Sequence, residues 1–115
     1  MVYNKLERSK GGAKMLFTNK KTDIATNRFG GDGDVIINHY IDEKLINDSI
    51  VMYAEVVLKP GCNLGYHQHS GNSETIVVLS GTAEYNDNGK TMTLKPGDTV
   101  HCPDGEWHSI GNAKD

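Results

Sequence analysis

Along most of this chain apolar and polar residues alternate with a period of two, as expected for strands with one buried face. The first such segment is Val35-Ile36-Ile37-Asn38-His39-Tyr40-Ile41. In the second, Ile50 to Leu58, residues Met52, Ala54, Val56 and Leu58 share an apolar face expected to point inward, while Glu55 lies opposite with Val51, Tyr53 and Val57. Glu74-Thr75-Ile76-Val77-Val78-Leu79 has the β-branched composition of a buried strand. Thr82 to Tyr85 and Lys90 to Leu94 flank Asn86-Asp87-Asn88-Gly89, and that Asn-Gly turn predicts a hairpin. Thr99 to Cys102 and Trp107 to Ile110 supply the last two strands. Lys59-Pro60-Gly61, Ser70-Gly71-Asn72-Ser73, Ser80-Gly81 and Lys95-Pro96-Gly97-Asp98 read as turns, and Asp42 to Ser49 as a polar loop. No segment carries a helical period over a useful length, so little or no helix is expected. Short strands punctuated by glycine and proline turns predict an all-β sandwich or barrel.

The first thirty residues lack this pattern. Lys5, Arg8, Lys10, Lys14, Lys20 and Lys21 make the start basic, and Gly11-Gly12 breaks any helix. The reading is an N-terminal arm over residues 1–30, with Met15-Leu16-Phe17 as a short edge strand, followed by one domain over residues 31–115. Asn27 to Asp34 is a glycine-rich turn. It is not a phosphate loop, because no Gly-Lys-Ser/Thr follows, and its glycines are expected at positive φ.

Composition narrows the function classes. A length of 115 residues fits one domain with a modest core. A net charge of −3 gives no electrostatic case for nucleic acid or an anionic membrane. No apolar run approaches the ~20 residues that span a bilayer. The N-terminus lacks the apolar segment of a signal peptide, and two cysteines are no disulfide framework, so a cytoplasmic protein is expected.

The candidate chemistry lies between Gly61 and Gly81. On an extended strand His67 and His69 project to one face with Gln68 opposite. A reversal at Ser70 to Ser73, forming a hairpin, would return Glu74 opposite both imidazoles. Two neutral imidazoles and a carboxylate make a chelate for a divalent first-row metal. An isolated His-x-His is ordinarily a surface pair. A carboxylate opening a strongly apolar strand, by contrast, needs a partner, and a cation is one.

Two spacings then resemble a family. Gly61, five residues, His67-x-His69, four residues, Glu74, six residues and Gly81 are similar to the first cupin motif. Gly97, five residues, Pro103-x-Gly105, two residues, His108, three residues and Asn112 are similar to the second. The stretch between them is short, as in small single-domain bacterial cupins. The resemblance implies an antiparallel jelly-roll β-barrel in which His67, His69, Glu74 and His108 jointly hold one metal. Such a set leaves two adjacent positions of an octahedral ion for water or a bidentate ligand, and Mn²⁺, Fe²⁺, Ni²⁺ and Zn²⁺ are all admissible. Cupins usually continue with a further strand after the second motif. The polar run from Gly111 to Asp115 is not one; the N-terminal arm could cover the edge in cis or in trans, and a homodimer that depends on the residues before about Gly30 is expected.

The remaining candidates have plainer readings. His39 and His101 read as strand-surface histidines, Cys62 and Cys102 as buried unpaired thiols, and Asp42-Glu43 as solvated loop charge. Strand parity turns Tyr66 and Trp107 away from the metal. The functional expectation is a metal-binding cupin, a small metalloenzyme acting on a small carboxylate- or hydroxyl-bearing metabolite. A non-catalytic sensor or structural module is the alternative. No residue is assigned a catalytic role.

Overall fold

The computed structural model describes residues 16–18, 20–41, 43–46 and 49–113. Among them are nine strands: β1 Lys21–Thr26, β2 Asp34–His39, β3 Ala54–Leu58, β4 Asn63–Gln68, β5 Glu74–Val77, β6 Ala83–Asp87, β7 Lys90–Leu94, β8 Thr99–Cys102 and β9 Trp107–Gly111. The helical content of the described residues is two three-residue 3-10 turns, Arg28–Gly30 and Glu43–Leu45. The chain divides into two compact units, Met1–Ala25 with Ile36–Val57, and Thr26–Val35 with Leu58–Asp115.

The first unit is built on a three-stranded sheet in the order β1-β2-β3. A polar ladder crosses it. The Thr22 hydroxyl donates to Asn38 Oδ1 at 2.8 Å, and Asn38 Nδ2 donates to Glu55 Oε1 at 3.0 Å. Asn38 is buried, and both ends of its amide are satisfied, as a buried amide requires. Strand β1 escapes the alternation rule because Lys-Thr-Asp-Ile-Ala-Thr holds only two apolar residues; its stability comes from pairing with β2. The segment Ile50 to Leu58 is strand only from Ala54 onward. Its expected faces do not separate either: Val56 and Val57, on opposite sides, are each 38% exposed, on a strand at the edge of its sheet. Phe17 forms an isolated bridge, while Met15 and Asp42 lie outside the described residues.

The second unit holds a four-stranded sheet, β4-β9-β6-β7, and a two-stranded one, β5-β8. Its core is Val78, Ala83, Tyr85, Leu94 and Ile110, with Leu58, Leu64, Ile76, Met92 and Val100 packed against them. The Asn-Gly hairpin is present: Asp87 pairs with Lys90, and Asn88 and Gly89 take φ of 49° and 97°, the doubly positive turn that matches strand twist.

The expected hairpin between the His-x-His strand and Glu74 does not form. β4 pairs with β9 and β5 pairs with β8, so residues 69–73 cross from one sheet to the other. The turn's polar groups explain why. His69 N–H donates to the Glu106 carbonyl at 3.0 Å, Gly105 N–H to the His69 carbonyl at 2.7 Å, and Gly71 N–H to Asp104 Oδ1 at 2.8 Å. The turn between His69 and Glu74 is thus stitched to residues 104–106 rather than closed on itself.

Candidate metal centre

Strand pairing assembles this site. His67 on β4 and His108 on β9 are register partners, with an irregularity in β4 between Leu64 and His67. His69 follows the strand, and the three rings gather with centroids 4.8–5.2 Å apart. Alternation sends Tyr66 and Trp107 to the other side, where their rings stack at 5.4 Å, each a little over 40% exposed.

Each imidazole has its Nδ1 engaged. His67 Nδ1 lies 2.7 Å from the Gly65 carbonyl, His69 Nδ1 2.8 Å from Asn72 Oδ1, and His108 Nδ1 2.7 Å from the Tyr85 hydroxyl. A carbonyl oxygen only accepts, so His67 and His69 carry their protons on Nδ1 and present Nε2 lone pairs. Tyr85 can donate or accept, and it leaves both tautomers open to His108.

The Nε2 atoms of His69 and His108 stand 2.9 Å apart, and Glu74 Oε1 lies 3.7 Å and 3.3 Å from them respectively. A lone pair, a second imidazole nitrogen and a carboxylate oxygen at these separations need a proton or a cation among them. The ligand atoms of His67, His69 and His108 all lie within 4.8 Å of one another, a group that can hold a metal ion. The donor chemistry, imidazole nitrogen with a carboxylate beside it, suits a divalent first-row metal.

The electrostatics favour ligation. Burial, reinforced by the neighbouring His67 and His69, pushes the His108 pKa down to about 4, against a smaller opposite pull from Asp87. His108 is therefore neutral at physiological pH, the form that binds metals. Burial first, then the charges of Cys102, Asp87 and Glu74, pushes Tyr85 up to about 12, so it stays a neutral phenol.

His67, His69 and His108 thus form the group that can hold an ion, and Glu74, arriving from the second sheet rather than along a hairpin, stands beside His69 and His108. Three supporting residues were not foreseen. Asn72 carried a weak signal, being a turn residue three positions after His69. Tyr85 reaches His108 only through the pairing of β6 with β9, which leaves no local trace. Phe29, from the glycine-rich turn, stacks on His67 with centroids 4.0 Å apart and planes 14° from parallel.

The other candidates lie outside the cluster. His101 hydrogen bonds Thr75 at 2.7 Å on an exposed face, and His39, in the first unit, pairs with Asp23 at 3.1 Å. Both cysteines are free. Cys102 is buried, and burial raises its thiol pKa. Cys62 is only half-buried, contrary to expectation, because it lies in the turn that opens β4, with its sulfur against Gly33.

This is an all-β protein whose histidine site is assembled from β4, from His69 just after it, and from β9. Residues 54–115 match the family model described as "Cupin domain", and the chain belongs to the cupin superfamily, with its antiparallel β-barrel fold. It is similar to an oxalate-binding protein of Thermotoga maritima, 34% identical over 87 residues that cover 76% of this chain and 72% of that one. It is likewise similar to the crystal structure of a predicted oxalate decarboxylase from Thermotoga maritima, at 33% identity, covering 80% of each chain with a TM-score of 0.75. No helix among the described residues is long and apolar enough to cross a membrane.

Proposed function

We propose that this cupin binds one divalent transition metal through His67, His69, Glu74 and His108 and uses it to capture a small dicarboxylate such as oxalate. One observation carries the reading: three imidazoles converge with each Nδ1 occupied by a hydrogen-bond partner, which leaves the Nε2 atoms to share one ion. When bound, the ion supplies a Lewis-acidic centre for carboxylate oxygens. The chain's own contribution is orientation: Gly65, Asn72 and Tyr85 hold the rings, and burial keeps His108 neutral. The name of the oxalate-binding relative supports the ligand class.

Binding is favoured over turnover because Glu74 is taken up as a metal ligand and Tyr85 by Nδ1 of His108, so neither stands ready as a general acid or base. The test is isothermal titration of oxalate into the chelator-treated protein and into the same protein reloaded with Mn²⁺. Oxalate should bind the loaded form far more tightly. Equal affinity in both forms would overturn the reading, and CO₂ release from oxalate by the loaded form would replace binding with catalysis.

A further inference from the structure

The glycine-rich turn from Asn27 to Asp34 contains a residue that neither backbone preference nor burial explains. Phe29 has φ 56° and ψ 30°, the left-handed region that a bulky side chain avoids and that glycine or asparagine occupies readily. Nor does the core demand it, since its side is 48% exposed.

The turn is nevertheless built to hold this conformation. Asn27 Oδ1 accepts from Gly33 N–H at 2.9 Å, and Asn27 N–H donates to the Gly33 carbonyl at 3.0 Å. Asn63, which opens β4, accepts from Asp32 N–H at 3.2 Å through its side chain and donates to the Asp32 carbonyl at 2.9 Å through its own N–H. The Phe29 carbonyl lies so close over Gly65 that a Cβ there would collide with it. The result is a phenyl ring laid flat on His67, with the Arg28 guanidinium 5.0 Å from the ring centroid.

We propose that Phe29 is a positioning residue for His67. Gly65 fixes the imidazole at Nδ1, and Phe29 fixes its plane and keeps water from one face. Together they aim Nε2 at the shared centre. A single hydrogen bond at Nδ1 still tolerates tilting of the ring about the N–H···O direction, and the face contact removes that freedom. The inference rests on the metal reading above.

The test compares Phe29→Asn and Phe29→Gly, which suit the backbone but remove the ring, with Phe29→Tyr, which keeps it. Ni²⁺ affinity is measured by calorimetry and stability by thermal unfolding of the metal-free proteins. The ringless variants should lose about tenfold or more in Ni²⁺ affinity, in line with other residues that orient ligands. Their metal-free melting temperatures should hold or rise because backbone strain is relieved, and Phe29→Tyr should bind as the unaltered chain does. Undiminished affinity in the ringless variants would overturn the inference while leaving the metal reading intact. So would a fall in metal-free melting temperature, which would make Phe29 a packing residue. An unaltered chain that takes up no Ni²⁺ would overturn both.

Discussion

The Tyr85 hydroxyl lies 2.7 Å from Nδ1 of His108, and both side chains are buried, at 4% and 2% exposure. This contact takes up Nδ1 of His108 and leaves Nε2 facing the centre. For Nε2 to offer a lone pair, the proton must sit on Nδ1, and Tyr85 must accept it. Phe at position 85 removes the acceptor. A buried N–H would then go unpaired at a cost of about 1–3 kcal/mol, unless the proton moves to Nε2 and points at Glu74. Either result opposes ligation, so Tyr85→Phe should weaken metal binding by about 10–100-fold. Competition with a chelator measures it, and unchanged affinity would disprove the role.

Metal retention should depend on all four proposed ligands. His67→Ala, His69→Ala and His108→Ala each remove a nitrogen donor, and Glu74→Gln removes the charge that stands 3.3 Å from His108. Elemental analysis after gel filtration should show each variant with less metal than the unaltered chain. Full stoichiometric loading of the double variant at His67 and His69 would reject the assignment.

The low pKa of His108 sets a sign for acid stability in the metal-free protein. Its folded value of about 4 lies below the ordinary 6.5, so between those values the unfolded chain binds a proton that the folded chain refuses. Stability should therefore be intact above pH 6.5 and decline as the pH falls from 6.5 towards about 4. Thermal unfolding across that window should show a clear slope for the unaltered chain and a shallower one for His108→Gln. Parallel slopes would mean that another group governs the acid limb.

How much of this was legible beforehand follows the range of each interaction. The Asn88-Gly89 hairpin is decided within four residues, and it appears as read. The grouping of His67, His69 and His108 was legible because motif spacing survives without knowledge of strand order. Strand order itself was not legible: His67 to Glu74 looks like a hairpin until the carbonyl of Glu106 and the carboxylate of Asp104 compete for the turn's N–H groups. Tyr85 and Phe29 were invisible for a related reason. Each acts through a contact between residues far apart in sequence, 23 in the case of Tyr85 and His108, and no local pattern encodes such a partner. Strand β1 was missed because pairing, not an apolar face, makes it a strand.

Gly65 offers a test of the seat beneath the glycine-rich turn. Its neighbours are all main chain: a Cβ would meet the Phe29 carbonyl and lie 2.7 Å from Gly31 N. Backbone atoms cannot swing aside as a side-chain end can, so Gly65→Ala must lift the turn from β4. Overpacking of this kind costs about 1–3 kcal/mol. Gly81→Ala is the control. Its φ of 71° makes alanine unfavourable by about 1–2 kcal/mol, but the space around it is open. Both variants should melt lower than the unaltered chain. Only Gly65→Ala should also lose metal affinity, because lifting the turn carries the Phe29 ring off His67. Adding Phe29→Gly should not restore the stability of Gly65→Ala, since the obstructing atom is the carbonyl rather than the ring. Recovery in that double variant would show that the side chain, not the main chain, occupies the space above Gly65.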